Sequence, residues 1–144
     1  MKSVVELDIK AEQSLVAELY MGPSNNPEWM AELARIEPVS GDLGEPGSVY
    51  RMVPKRDDRV FDATVLAKHP PDETRLNLVA PDTSVSIRVK LHKLAWNRTR
   101  FISEETFRFK GLLGWAAGLM ARQAIKRAHR RHMEAFKRFA ETRY

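Results

Sequence analysis

No cysteine occurs in the 144 residues, which removes disulfides, thiolate nucleophiles, thiolate zinc sites and iron–sulfur ligation together. Long apolar runs are missing too. The longest, Leu112 to Ala121, has about half of the roughly twenty residues that a bilayer-spanning helix requires. No phosphate-binding glycine loop is present: the Gly41 to Gly47 segment lacks the spacing of a nucleotide site and precedes a strand pattern instead of a helix. No Gly-x-Ser-x-Gly elbow or persuasive Ser/His/Asp order offers a hydrolytic nucleophile, so no cofactor is implied. The N-terminus, Met1-Lys2-Ser3-Val4-Val5-Glu6, reaches an acid before any apolar stretch could form a signal-peptide core. It reads as the start of a strand, and the chain as cytoplasmic.

Acidic residues are scarce in one place. The formal charge is +5, and between Arg122 and Arg138 seven basic residues face the single acid Glu134. The excess charge is therefore largely one helix. With 43% hydrophobic and 30% charged residues the remainder is ordinary for a globular chain, and order is expected nearly from end to end. A chain of this length suits one domain, residues 1–144, with one substantial core.

Periodicity supplies the elements. Val5, Leu7 and Ile9 alternate with Glu6, Asp8 and Lys10, the pattern of a strand over Ser3–Ile9 with one buried face. Ala11–Tyr20 places Leu15, Val16 and Leu19 at helical spacing, and Met21-Gly22-Pro23 ends that helix. A second short helix is expected with Asn26 as its cap, Pro27 at its first position, and Trp29 and Leu33 on one face. From Ile36 onward, turns at 41–47, 55–58, 69–72, 80–82 and 96–98 separate strand candidates at 49–53, 60–67, 74–79, 85–94 and 99–109. The sheet should carry one apolar and one basic face. From Gly111 to about Thr142 no proline interrupts the chain, and one helix of about 45 Å is expected to cross the sheet, its stripe running from Leu112, Trp115 and Leu119 to Met133, Phe136 and Phe139.

This order of a strand, two short helices, a meander and a long helix resembles the START/Bet v 1-like superfamily, which includes the polyketide cyclase and lipid-transport proteins. The resemblance rests on Asn26-Pro27-Glu28-Trp29, on Gly44-Glu45-Pro46-Gly47-Ser48 leading into Val49-Tyr50-Arg51, and on Phe136-Lys137-Arg138-Phe139-Ala140-Glu141 at the end of the last helix. It implies an α+β helix-grip fold, with a curved antiparallel sheet of about seven strands wrapped around the C-terminal helix. It also implies a cavity for lipids, polyketides, sterol-like molecules or quinones, without choosing among carriers, cyclases and regulators. Independently, a bent sheet under one helix leaves volume that medium-sized side chains do not fill. The expected ligand-binding residues are Trp29, Tyr50, Val65, Val85, Val89, Phe101, Ser103, Glu105, Phe107, Phe109, Trp115 and Leu119. The competing reading of each aromatic is ordinary core packing.

Among titratable residues Glu105 stands out. The alternation Phe101, Ser103, Glu105, Phe107, Phe109 turns its carboxylate to the aromatic side, where desolvation would raise its pKa and suit it to general acid/base work. His129 and His132 share a helix face, as two metal ligands would, but no third ligand is apparent; burial beside Phe136 is the simpler account. The leading reading is sequestration or transport of a hydrophobic small molecule or lipid. Alternatives are a polyketide cyclase or aromatase-type enzyme using Glu105 or Tyr50, and a module that docks through its basic helix to a macromolecule or, in transient contact, to an anionic membrane. No helix-turn-helix, finger or RNA-binding strand motif supports nucleic acid as the partner. Oligomeric state is left open.

Overall fold

The computed structural model describes residues 1–56 and 58–143. Strand β1 (Lys2–Ile9) is followed by helix α1 (Gln13–Met21), a 3-10 turn (Pro23–Asn25) and the single-turn helix α2 (Asn26–Trp29). Six strands come next: β2 (Leu33–Ser40), β3 (Val49–Pro54), β4 (Phe61–His69), β5 (Glu73–Val79), β6 (Thr83–Ala95) and β7 (Arg98–Phe109). Helices α3 (Gly111–Met120) and α4 (Arg122–Glu141) end the chain. The expected turns all fall between strands; of the 55–58 turn, Asp57 lies outside the described residues.

The seven strands form one antiparallel sheet in the order β1-β7-β6-β5-β4-β3-β2. Short turns make each of β2 to β7 pair with its chain neighbour, and β1 closes the far side against β7. The alternation in β6 holds as anticipated: Val85, Ile87, Val89 and Leu91 are buried. Helix α4 packs on β1, α1 and α2 through His129, Met133, Phe136, Phe139 and Ala140, which recur every three or four residues and so share one face. Together these features make the helix-grip arrangement.

Four details depart from the sequence expectation. Asn26 is inside α2 instead of capping it, and the cap position is taken by Asn25 without a side-chain hydrogen bond. Leu33 opens β2 instead of sharing a helical face with Trp29, because Met30 already has an extended backbone. The outer sheet face is not uniformly basic. Arg51 pairs with Asp62, Arg75 and Arg88 with Glu73, and Arg100 with Asp8, since register sets Asp8 opposite Arg100 and Arg51 opposite Asp62. Finally, the long C-terminal helix breaks at Ala121. Its first half, expected as core, is exposed: Leu112, Leu113, Trp115, Leu119 and Met120 all face solvent. The inner sheet face ends at Phe109, and α3 rests there on its glycines. A Cβ added to Gly118 would come 2.3 Å from two carbons of the Phe109 ring, so the large side chains are left on the outside.

Candidate functional site

The interior between sheet and α4 is filled at one end and hollow at the other. At the filled end Tyr20, Trp29, Phe101 and Phe136 form an aromatic cluster, with Phe136 5.2 Å from Tyr20, 5.2 Å from Phe101 and 5.3 Å from Trp29 between ring centroids. These edge and tilted contacts are the favourable geometries for aromatic pairs. Beyond the cluster opens a cavity of about 330 Å³, within the usual size of small-molecule sites. Its walls come from β2 to β7 on the sheet side and from α1, α2 and α4 opposite, with Asp58 and Arg59 of the β3–β4 loop also lining it.

Trp29, Tyr50, Val85, Glu105 and Phe107 line this cavity. Val89 and Phe101 lie instead within the solid core, and Val65 packs with Tyr50 and Ala63. Ser103 is buried beneath His129. Phe109, Trp115 and Leu119 line a separate hollow of about 450 Å³ beneath α3, which shares Phe107 with the cavity. Trp115, expected like Trp29 to line the ligand cavity, is therefore in a different place, because the break at Ala121 takes α3 off the core.

Sequence reasoning missed Tyr20, Asn26, Leu76, Leu78, Ile87 and, above all, His129 as cavity walls. Period signals existed for Ile87, in phase with Val85, and for Leu76 and Leu78 within one strand. His129 had only its spacing from Met133 and Phe136. What it meets depends on strand register. Pairing of β1 with β7 sets Ser3 opposite Glu105 and Val5 opposite Ser103, and α4 lowers His129 onto that patch. A hydrogen bond of 2.8 Å joins the His129 Nδ1 to the Ser3 Oγ, and one of 2.9 Å joins Nε2 to the Ser103 Oγ. One ring nitrogen donates and the other accepts, so the two serines satisfy a neutral imidazole. Neither serine lines the cavity, so this is an orienting clamp and offers no nucleophile to a ligand.

Glu105 Oε2 is 3.4 Å from His129 Nε2. Burial pushes the Glu105 carboxyl up to about 7. Burial, followed by the charges of His132 and Arg130, depresses His129 to about 4. Both shifts favour the uncharged forms, so a protonated Glu105 beside a neutral His129 is the ground state below neutrality. Tyr20 is raised by burial and then by the Glu105 charge, while Tyr50, raised to about 12 by burial, is partly offset by a hydrogen bond with Asn26. Between about pH 4 and pH 7 all four are mainly uncharged hydrogen-bonding groups in a largely apolar wall. His132 pairs with Glu32 at the rim, and among the described residues no three His, Asp or Glu side chains are arranged to hold a metal ion.

One polar atom is left over. Among the described residues the Trp29 Nε1 is the only buried side-chain nitrogen or oxygen without a hydrogen-bond partner, and Trp29 borders the cavity.

Solved structures with this architecture include a START superfamily protein from Mycobacterium smegmatis, at 13% identity over 98% of this chain and 97% of that one, with a TM-score of 0.82. The Zhui aromatase/cyclase from Streptomyces sp. R1128 matches at 16% identity over 99% and 94%, with a TM-score of 0.79. Norcoclaurine synthase from Thalictrum flavum, solved with dopamine and hydroxybenzaldehyde, matches at 10% identity over 100% and 89%, with a TM-score of 0.73. At such identities these likenesses establish fold alone. No curated protein matches the sequence. The family described as polyketide cyclase / dehydrase and lipid transport matches residues 1–141, and the chain belongs to that family.

Proposed function

We propose that residues 1–144 act as one binding domain for a hydrophobic small molecule carrying a carbonyl or similar acceptor oxygen, held in the cavity between the sheet and α4. The observation that carries this reading is the buried indole N–H of Trp29, left without a hydrogen-bond partner in a residue of the cavity wall. A buried donor left unpaired costs about 1–3 kcal/mol. An acceptor oxygen on a ligand removes that cost, and the protonated Glu105 carboxyl supplies a second donor nearby. Leu76, Leu78, Val85 and Phe107 take up the apolar body, at roughly 25 cal/mol per Å² removed from water.

Titration with a neutral naphthyl ketone dye tests this. Saturable binding that weakens about tenfold in Trp29→Phe, which keeps the aromatic body and deletes the donor, is the expected result. Binding unchanged by that substitution would remove the basis for the reading.

The raised Glu105 supports a second reading, acid/base chemistry on the bound molecule. A carboxyl with a pKa near 7 can both give and take a proton at physiological pH. Under this reading Glu105→Gln retains the dye but stops conversion of a reactive polyketone; retained conversion rules it out.

A further inference from the structure

We propose that α3 is a docking helix for an anionic lipid bilayer, lying in the membrane interface with its Leu112, Leu113, Trp115 and Met120 side chains inserted among the acyl chains. This is independent of what the cavity holds.

The first observation is exposure imposed by packing. Leu112, Leu113 and Met120 are 80%, 88% and 89% exposed, and Trp115 is 60% exposed. Monomers seldom leave contiguous apolar surface of this kind in water without a partner for it. The seat of the helix fixes the arrangement. Gly111 turns the chain out of β7 with φ of 74°, a conformation that other residues rarely adopt. Gly118 then lies so close to the Phe109 ring that no side chain fits between them. Rotating α3 to bury its leucines would lift it from Phe109.

The second observation is charge. Thr106 to Met133 contains no acidic residue and seven basic ones: Arg108, Lys110, Arg122, Lys126, Arg127, Arg130 and Arg131. Arg130 approaches Glu134. The other six make no ion pair among the described residues, whereas Arg51, Arg59, Arg75, Arg88, Arg98 and Arg100 on the sheet and its loops are each paired. Uncompensated positive charge therefore concentrates around the exposed apolar helix. Lys110 and Arg122 bracket its two ends, and Arg108 and Arg122 border the hollow beneath it.

An apolar helix face flanked by basic side chains, with a tryptophan, is the composition that sits in the interface of an anionic bilayer. The other occupants fit less well. A two-fold pair of copies would place the same acid-free surface against itself. Nucleic acid would leave the leucines and Met120 without an apolar partner. Phe107 is shared between the hollow beneath α3 and the ligand cavity, so the docked face would adjoin the ligand site.

The test is flotation of the full chain with vesicles of phosphatidylcholine and phosphatidylserine at roughly three to one, against phosphatidylcholine alone, alongside light scattering. Partition onto the anionic vesicles should be at least about tenfold stronger and should fall with added salt. Leu113→Gln with Met120→Gln should lower it about tenfold while leaving the circular dichroism and thermal midpoint unchanged. Quenching by brominated acyl chains should disappear in Trp115→Phe. Absence of partition, equal partition onto both vesicles, or indifference to the Leu113/Met120 pair overturns the proposal. So does a dimer in solution that those substitutions dissociate. The ketone dye titration is read without vesicles, so failure of either proposal is visible without the other.

Discussion

The two ends of the interior are built from the same sheet and the same helix, yet one is solid and the other hollow. At the solid end α4 sends down Phe136, which meets Tyr20, Trp29 and Phe101, rings large enough to span the gap between helix and sheet. At the hollow end Leu76, Leu78, Val85 and Ala128 lie in the wall among larger residues such as Tyr50, Phe61 and Phe107, and a volume of about 330 Å³ stays open between them. The polar residues follow the same division. Glu105 and Tyr50 border the hollow, where the wall need not be wholly apolar and a ligand can complete their hydrogen bonding.

The largest test of this contrast is a matched pair of truncations. Phe136→Ala should cost about 3–5 kcal/mol in denaturant unfolding, because it opens a void in the packed cluster. Leu78→Ala, on a wall that already faces empty space, should cost about 2 kcal/mol, the low end for such a deletion. Equal costs would mean that the two ends are packed alike.

Stability against pH separates the titrating groups. Glu105 is raised from 4.5 to about 7, so its contribution is full below pH 4.5 and is lost as pH rises toward 7. His129 is depressed from 6.5 to about 4, so its contribution is full above pH 6.5 and is lost as pH falls toward 4. Between pH 4.5 and 6.5 the two slopes oppose and nearly cancel. Glu105→Gln should expose the histidine slope, with stability falling by about 1.4 kcal/mol per pH unit on acidification across that window. A curve as flat as that of the unsubstituted protein would show that His129 is not depressed.

The smallest expected effect is that of Trp29→Phe on the empty protein. Loss of ring area and removal of an unpaired donor oppose one another, so the change should stay within about 1 kcal/mol. A loss above about 3 kcal/mol would mean that the indole N–H has a partner in solution and is not waiting for a ligand.

Much of the fold was legible because it is written in local patterns. Turn residues and period-two alternation located six of the seven strands within two residues, all but β2, and marked the inward side of β6 and β7. Glu105 was found by that phase alone. His129 was not, because its surroundings, Ser3 and Ser103, lie 126 and 26 residues away in the chain and converge only through the β1–β7 register. The exposed α3 was misjudged for a related reason. Hydrophobicity reports what a segment would gain by burial, but it does not say whether a surface is available to cover it.

By itself, the sequence determined the element order, the phase of the main strands, the absence of thiol chemistry and the family. Those depend on neighbours a few residues apart, where backbone geometry dictates which side chains share a face. Tertiary structure alone decided that the interior is half filled, that Trp29 keeps an unpaired donor, that burial biases Glu105 and His129 toward their uncharged forms, and that α3 turns outward from a glycine seat on Phe109. Each of these depends on distances between residues remote in the chain, and burial, pairing and volume are properties of the assembled surfaces.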